Sequence, residues 1–283
     1  MQIDNFLVGT AFEENYKGIL RRILRNGFRR DVRGFKTIEL SPFIYRTLNV
    51  DKNILSNKTR KINKAFAVAE FLWMMSGRDD LKMLSFYNKK ISDYSDDGVT
   101  LSGAYGKNLK PQLEVVLKKL KEDIYTRQAV INIWQDVKRE SKDVPCTISM
   151  QFIVNSFNEL EFIVNMRSND AWLGLPYDFF NFTTIQQYVA MKLGLSVGYY
   201  THVVGSMHIY DENRKLAEEV SAQPTMISDI TGLSTFLYDQ LDEFKKAEEN
   251  LRVKKIKDSI LTGKWKEMYD ILETFNERKL NEK

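Results

Sequence analysis

Cysteine is almost missing from this chain of 283 residues: the single Cys146 excludes an intrachain disulfide framework and any cluster of cysteine metal ligands. Histidine is nearly as scarce, and with only His202 and His208 a histidine-rich metal site is not expected. No metal is assigned, and the chemistry must come from carboxylates, arginines, hydroxyls and one thiol. With 5 prolines and 14 glycines there is no low-complexity linker, and no internal repeat is found. No run approaches the roughly 18 to 20 apolar residues that span a bilayer, and Met1 to Gly9 carries Asp4 but no basic residue ahead of an apolar stretch. A soluble, cytoplasmic protein is expected. Charge of one sign is also lacking, because 42 basic against 38 acidic side chains leave only +4. That balance argues against a protein devoted to binding nucleic-acid backbones.

What the chain does have is a substantial core, with 43% hydrophobic and 12% aromatic residues. Thr10 and Glu13 have the form of a capping box, and Phe12, Tyr16, Ile19, Leu20, Ile23 and Leu24 follow at helical spacing until Asn26-Gly27. A basic, glycine-punctuated loop, Phe28 to Gly34, precedes strand-like runs at Phe35 to Leu40 and Phe43 to Leu48. Such a loop is either an anion site or a solvated turn. Ala65 to Met75 reads as a buried helix interrupted once, by Glu70, whose ionised form would be costly to bury unless something binds it. Pro111 starts a further helix, and strands are expected at Ala129 to Trp134, Thr147 to Val154 and Leu160 to Met166. Phe179 to Leu193 is helical, and Val197 to Val204 and Met207 to Tyr210 return to strand. The sum is a mixed α/β protein on one sheet, followed after Tyr210 by charged helices that serve either as an accessory layer or as a partner-binding tail.

Several residues could carry chemistry. Pro145 disfavours helix and delivers Cys146 to the start of a strand, a reasonable post for a nucleophile. A thiol acts as thiolate, so nearby positive charge would have to lower its pKa from about 8.5. Taken alone, a free cysteine is more often a small core hydrophobe. Met166-Arg167-Ser168-Asn169-Asp170 ends a strand with groups suited to phosphate, or to an ordinary turn. Asp178 directly precedes a helix and could simply cap it. His208 and Tyr210 share one face of a strand.

The joint order of these signals resembles the thymidylate synthase superfamily, including its pyrimidine nucleotide hydroxymethylases. The matching elements are Ala69-Glu70-Phe71-Leu72-Trp73 with Ser76-Gly77, Tyr105-Gly106, Arg127 ahead of Trp134, and Pro145-Cys146. They continue with Gln151, Arg167-Ser168 with Asp170, Gly174-Leu175-Pro176, and Gly205 with His208-Ile209-Tyr210. Resemblance covers roughly residues 15 to 215, and the charged C-terminal portion does not visibly follow the family.

The resemblance implies an α/β (α+β) thymidylate synthase-like fold: one domain over residues 1–283 with a divergent helical region at 211–283, and a large twisted mixed sheet flanked by helices. Two subunits would pack sheet to sheet as a homodimer. It further implies that Cys146 attacks C6 of a pyrimidine nucleotide, activating C5 toward the methylene of the cosubstrate 5,10-methylenetetrahydrofolate. Glu70 would move protons around the base, and an apolar helix would raise its pKa for that duty. Arg167 and Ser168 would hold the phosphate, joined by Arg33 (Arg30 the second choice) and by Arg127 of the second subunit. Gln151 joins the substrate contacts, His208 and Tyr210 the sugar hydroxyl, and Asp170 and Trp73 the folate.

Two departures decide the subclass. Thymidylate synthases usually place asparagine where this chain has Asp178, and commonly histidine where it has Thr147. An ionised aspartate has only acceptors and opposes the uracil 4-carbonyl, whereas the cytosine 4-amino group donates to it and N3 can share a proton with the other oxygen. Both residues resemble phage deoxycytidylate 5-hydroxymethylases, in which water rather than hydride captures the methylene intermediate. The expected activity is therefore dCMP to 5-hydroxymethyl-dCMP for DNA modification, in a virus-infected bacterial cytoplasm. CMP hydroxymethylation and thymidylate synthesis from dUMP are the neighbouring readings.

Overall fold

The computed structural model describes residues 5–138, 140–224, 233–257 and 259–281; Asp4 and the last two residues of the chain lie outside them. The first strand, β1 (Phe6–Gly9), leads into helix α1 (Phe12–Asn26), followed by β2 (Phe28–Val32), β3 (Phe35–Leu40) and β4 (Phe43–Thr47). Thr10 does not form the expected capping box: its N–H donates to Glu14 Oε2 at 2.8 Å, and Ala11 is the N-cap. The basic segment before Gly34 is not a loop but β2, which forms an antiparallel hairpin with β3 whose turn puts Arg33 at φ 54°.

Helices α2 (Lys64–Met75), α3 (Leu81–Tyr87) and α4 (Gly106–Glu122) follow. Asn63 caps α2 by accepting from the Phe66 N–H at 3.0 Å. Pro111 lies inside α4 rather than at its start. The helix begins instead at Gly106, because only glycine fits there: a Cβ would stand 2.9 Å from Met74 O and 3.0 Å from Arg78 O.

The remaining strands are β5 (Val130–Asn132), β6 (Thr147–Val154), β7 (Glu159–Met166), β8 (Asn169–Asp170), β9 (Ser196–Val204) and β10 (Met207–Tyr210), with α5 (Leu175–Leu193) between β8 and β9. They form two sheets where the sequence suggested one. The larger is mixed, in the order β1-β4-β9-β7-β6-β5, and the smaller runs β2-β3-β10-β8. Alternation sets the faces: Leu160, Phe162, Val164 and Met166 of β7 are buried against the core, and Ile163 and Asn165 face the other way, half-buried. Helix α5 packs on β7 and β9 and is held on its other side by α2.

The C-terminal part is α6 (Arg214–Ala222), α7 (Leu241–Glu249), one π-helical turn (Asn250–Lys254) and α8 (Gly263–Asn281). It is a layer of the core and not a free tail. Trp265 of α8 is fully buried, with ring centroids 4.5 Å from Phe236, 5.4 Å from Phe244, 6.1 Å from Tyr188 and 6.3 Å from Phe71 of α2. No helix among the described residues is long and apolar enough to cross a membrane.

Candidate active site

Cys146 stands in the turn that enters β6, and Arg167, just past the end of the neighbouring strand β7, holds that turn in place. Its backbone N–H donates to Cys146 O at 2.8 Å, its Nε to Pro145 O at 2.9 Å and one terminal nitrogen to Val144 O at 2.9 Å. The same guanidinium reaches Ser168 Oγ at 3.4 Å, and that hydroxyl lies 3.9 Å from Cys146 Sγ. The thiol is not lowered as expected from cationic neighbours. Burial raises its pKa, Arg167 and the Ser168 contact work against the rise, and Asp178 and Asp143 add to it.

Cys146 lines a cavity of about 150 Å³ together with Glu70, Trp73, Tyr105, Asp178 and Asn181. Glu70 comes from the middle of α2, where the surrounding apolar residues bury the helix. Asn181 of α5 donates to Glu70 Oε2 at 2.6 Å. Burial pushes Glu70 up to about 7, with the Asn181 hydrogen bond opposing. Asp178 is raised well above the carboxylate range, first by burial and then by Glu70, with the Asn169 amide opposing. Both carboxyls keep part of their surface open to the cavity while protein surrounds them elsewhere. Neither meets a guanidinium or ammonium there, so burial holds both carboxyls above their ordinary range.

Asp178 does not cap α5. The helix starts at Leu175 with Gly174 as N-cap, so Asp178 lies in the first turn and its side chain turns to the cavity. This placement puts Asn181 three residues on, on the same helix face. Asn181 was missed in the sequence, although the i, i+3 spacing from Asp178 was the available signal. Four buried side-chain oxygens in this part of the protein have no hydrogen-bond partner among the described residues: Thr147 Oγ1, Asn169 Oδ1, Asp170 Oδ2 and Asn181 Oδ1.

The other predicted residues fall into two groups. His208 and Tyr210 share a face of β10, with ring centroids 5.3 Å apart, and His208 is in register with Asp170 of β8. Asp170 Oδ1 accepts from the Trp172 N–H at 2.7 Å and the Leu173 N–H at 3.0 Å. The β2–β3 hairpin brings Arg33 close enough to favour the Tyr210 phenolate, whereas Arg30 pairs with Glu39 at 2.7 Å. Arg127 and Gln151 do not line the cavity. Arg127 is exposed beside the sheet edge, where its carbonyl accepts from Gln151 Nε2 at 3.1 Å. Arg60, which no motif marked, is buried with Nε donating to Trp172 O at 2.8 Å and its guanidinium 5.3 Å from the Trp172 ring.

In one respect these surroundings suit a folate ring: Trp73, Leu84, Ile91 and Leu101 give the cavity an apolar wall, whereas Asp170, whose buried Oδ2 has no partner among the described residues, does not line it.

Comparison with known proteins gives the family. The family model for thymidylate synthase matches residues 14–255, so the likeness runs past the 215 expected and into the C-terminal layer. A deoxyuridylate hydroxymethyltransferase of Bacillus phage SP01 is 32% identical over 234 residues, covering 75% of this chain and 61% of its own. Another, from Pseudomonas phage M6, is 32% identical over 198 residues, covering 66% and 56%. The chain thus spans about three fifths of the length of these phage relatives. A thymidylate synthase of Clostridium beijerinckii is 30% identical over 209 residues, covering 71% and 78%. Among solved structures, thermostable thymidylate synthase A from Bacillus subtilis superposes with a TM-score of 0.67 at 25% identity, covering 77% of this chain and 86% of that one.

Proposed function

The chain belongs to the thymidylate synthase family, whose members are folate-dependent pyrimidine nucleotide one-carbon transferases, and on that premise we propose that it hydroxymethylates dCMP at C5. The observation that carries this reading is the meeting of Cys146, Glu70 and Asp178 on one small cavity. The overall reaction consumes dCMP, 5,10-methylenetetrahydrofolate and water and yields 5-hydroxymethyl-dCMP and tetrahydrofolate. The folate supplies the one-carbon unit.

In this proposal Cys146 gives up its proton and bonds to C6, which makes C5 nucleophilic, and elimination later restores the thiol. Ser168 Oγ and Arg167 are the groups beside Sγ that favour the thiolate against burial. Glu70, poised near neutrality, takes and returns protons at the base. Asp178 receives the cytosine 4-amino group on one oxygen and shares a proton with N3 on the other. Arg167, Ser168 and Arg33 bind phosphate, His208 and Tyr210 the sugar hydroxyl, and Asp170 and Trp73 the folate. Gln151 lies on the open face of the larger sheet with half-buried Ile153 and Ile163, and Arg127 stands beside that sheet's edge. A homodimer packed through that face would carry Arg127 to the partner's phosphate site, with residues 1–283 as one domain in a cytoplasmic enzyme.

A second reading is hydroxymethylation of dUMP, and a specific observation favours it. Burial and Glu70 hold a proton on Asp178, and a neutral carboxyl can donate to the uracil 4-carbonyl while accepting from N3–H. The names of the phage relatives point the same way.

The deciding experiment is product mass spectrometry with dCMP, CMP and dUMP competing in one tube with methylenetetrahydrofolate, while dihydrofolate is monitored. A hydroxymethyl adduct on dCMP without dihydrofolate is the expected result. The adduct on dUMP supports the second reading, and methylated dUMP with dihydrofolate overturns both.

A further inference from the structure

Behind Asp178 runs a chain of buried polar groups that the reaction above does not use. His202 of β9 is fully buried, in register with Tyr45 of β4 on one side and Val164 of β7 on the other. Its Nδ1 lies 2.6 Å from the Tyr200 hydroxyl and 3.3 Å from that of Tyr45, and its Nε2 is 3.2 Å from Asn169 Nδ2. Asn169 turns its Oδ1 toward Asp178. A Cβ on Gly174 would stand 3.4 Å from that oxygen and 3.3 Å from Asp178 Oδ2, so both oxygens face one small space. Neither His202 nor Asn169 lines the cavity.

Burial lowers the His202 pKa to about 3, so near pH 7 the ring is neutral and carries one N–H. One N–H shared between two ring nitrogens gives the chain two consistent settings. In the first, Nδ1–H donates to a tyrosine oxygen, Nε2 accepts from Asn169, and Asn169 Oδ1 takes the proton of Asp178. In the second, with the Asn169 amide turned end for end, the Tyr200 hydroxyl donates to Nδ1 and Nε2–H donates to Asn169 Oδ1. The amide nitrogen then donates to a bare Asp178 oxygen, and any proton on Asp178 must sit on the other one. The first setting holds the proton inward, and the second leaves it for the pyrimidine. Cytosine needs that proton opposite N3, whereas uracil needs it opposite the 4-carbonyl.

We propose that Asn169, oriented by His202 and the hydroxyls of Tyr200 and Tyr45, is the positioning residue that decides which pyrimidine edge Asp178 accepts. The proposal rests on the nucleotide reading given above. Groups facing Asp178 from the surrounding elements are Glu70 on α2, Asp170 on β8, Cys146 before β6, Tyr105 before α4, Tyr45 on β4 and Tyr200 on β9. Glu70 and Asp170 oppose its ionisation, and donation from the Asn169 amide nitrogen works the other way.

The test uses Asn169→Leu, which keeps the volume and removes both hydrogen bonds, and Tyr200→Phe, which touches only the far end of the chain. The ratio of kcat/KM for dCMP and dUMP is measured across pH, with the 13C titration of the Asp178 carboxyl followed without nucleotide. Asn169→Leu should shift the ratio by about tenfold or more and move the carboxyl titration. Tyr200→Phe should shift both in the same direction by less, and it carries the test if Asn169→Leu does not fold. Equal loss of kcat on both nucleotides, with ratio and titration unmoved, would overturn the proposal and leave Asn169 a packing residue. A wild-type protein that turns over only dUMP, or neither nucleotide, overturns the dCMP reading, and the carboxyl titration in the variants still decides for or against the relay.

Discussion

Glu248, in the C-terminal layer, is buried with its charge met from two sides. Arg252 donates from Nε at 2.6 Å and from a terminal nitrogen at 3.2 Å, and the Tyr87 hydroxyl donates at 2.9 Å. Glu70 and Asp178, also deep in the protein, meet neutral amides and one another instead. The first arrangement spends a carboxylate on joining α7 to α3 through an ion pair and a tyrosine hydrogen bond. The second leaves carboxyls whose ionisation burial opposes. The paired acid serves the fold, and the two without a cation are the ones to which the proposed function gives chemistry.

The largest break in that contrast comes at the thiol that shares the cavity with the two carboxyls. Cys146→Ser should reduce turnover on the order of 10⁴-fold or more, measured as product formed in single-turnover mixtures, while the melting temperature barely moves. Next is Glu70→Gln, expected to reduce kcat roughly 10²- to 10⁴-fold and to remove an inflection near pH 7 from the pH–rate profile. Its stability effect has a fixed sign. Since folding raises Glu70 from 4.5 to about 7, its contribution is fully present below 4.5 and is lost as pH rises through about 7. The variant should therefore lack that slope in urea midpoints measured from pH 5 to 9. The smallest effect on turnover belongs to Arg252→Met, which strands Glu248. It should cost about 3–5 kcal/mol of stability in denaturant titration while kcat per folded molecule is unchanged. A large kcat loss in that variant would mean that the C-terminal layer shapes the cavity.

Much of the fold was legible from periodicity, because the segments concerned bury one face or both. β6 and β10 run over the residues expected, and α2 begins one residue early. The misses share a cause. Thr10, Pro111 and the basic segment before Gly34 were read from local preference, which tertiary contact overrode. Close packing of Gly106 on the end of α2 set the start of α4, and pairing with β3 drew Arg29 and Arg30 into a strand. Charged residues after Tyr210 hid the aromatic cluster around Trp265, since a few large rings at wide spacing outweigh many solvated lysines and glutamates.

The sequence by itself determined the proposed reactive set: one thiol behind a proline, one acid within an apolar helix, and an aspartate where an asparagine is usual. Those are properties of residue type and neighbours along the chain. Only the tertiary structure decided their protonation and their company. Burial raised Cys146 against the pull of Arg167, the first turn of α5 aimed Asp178 into the cavity, and Asn181 and Asn169 came to Glu70 and Asp178 as amides rather than cations. Depth and partners are relations across the fold, so no reading along the chain could supply them.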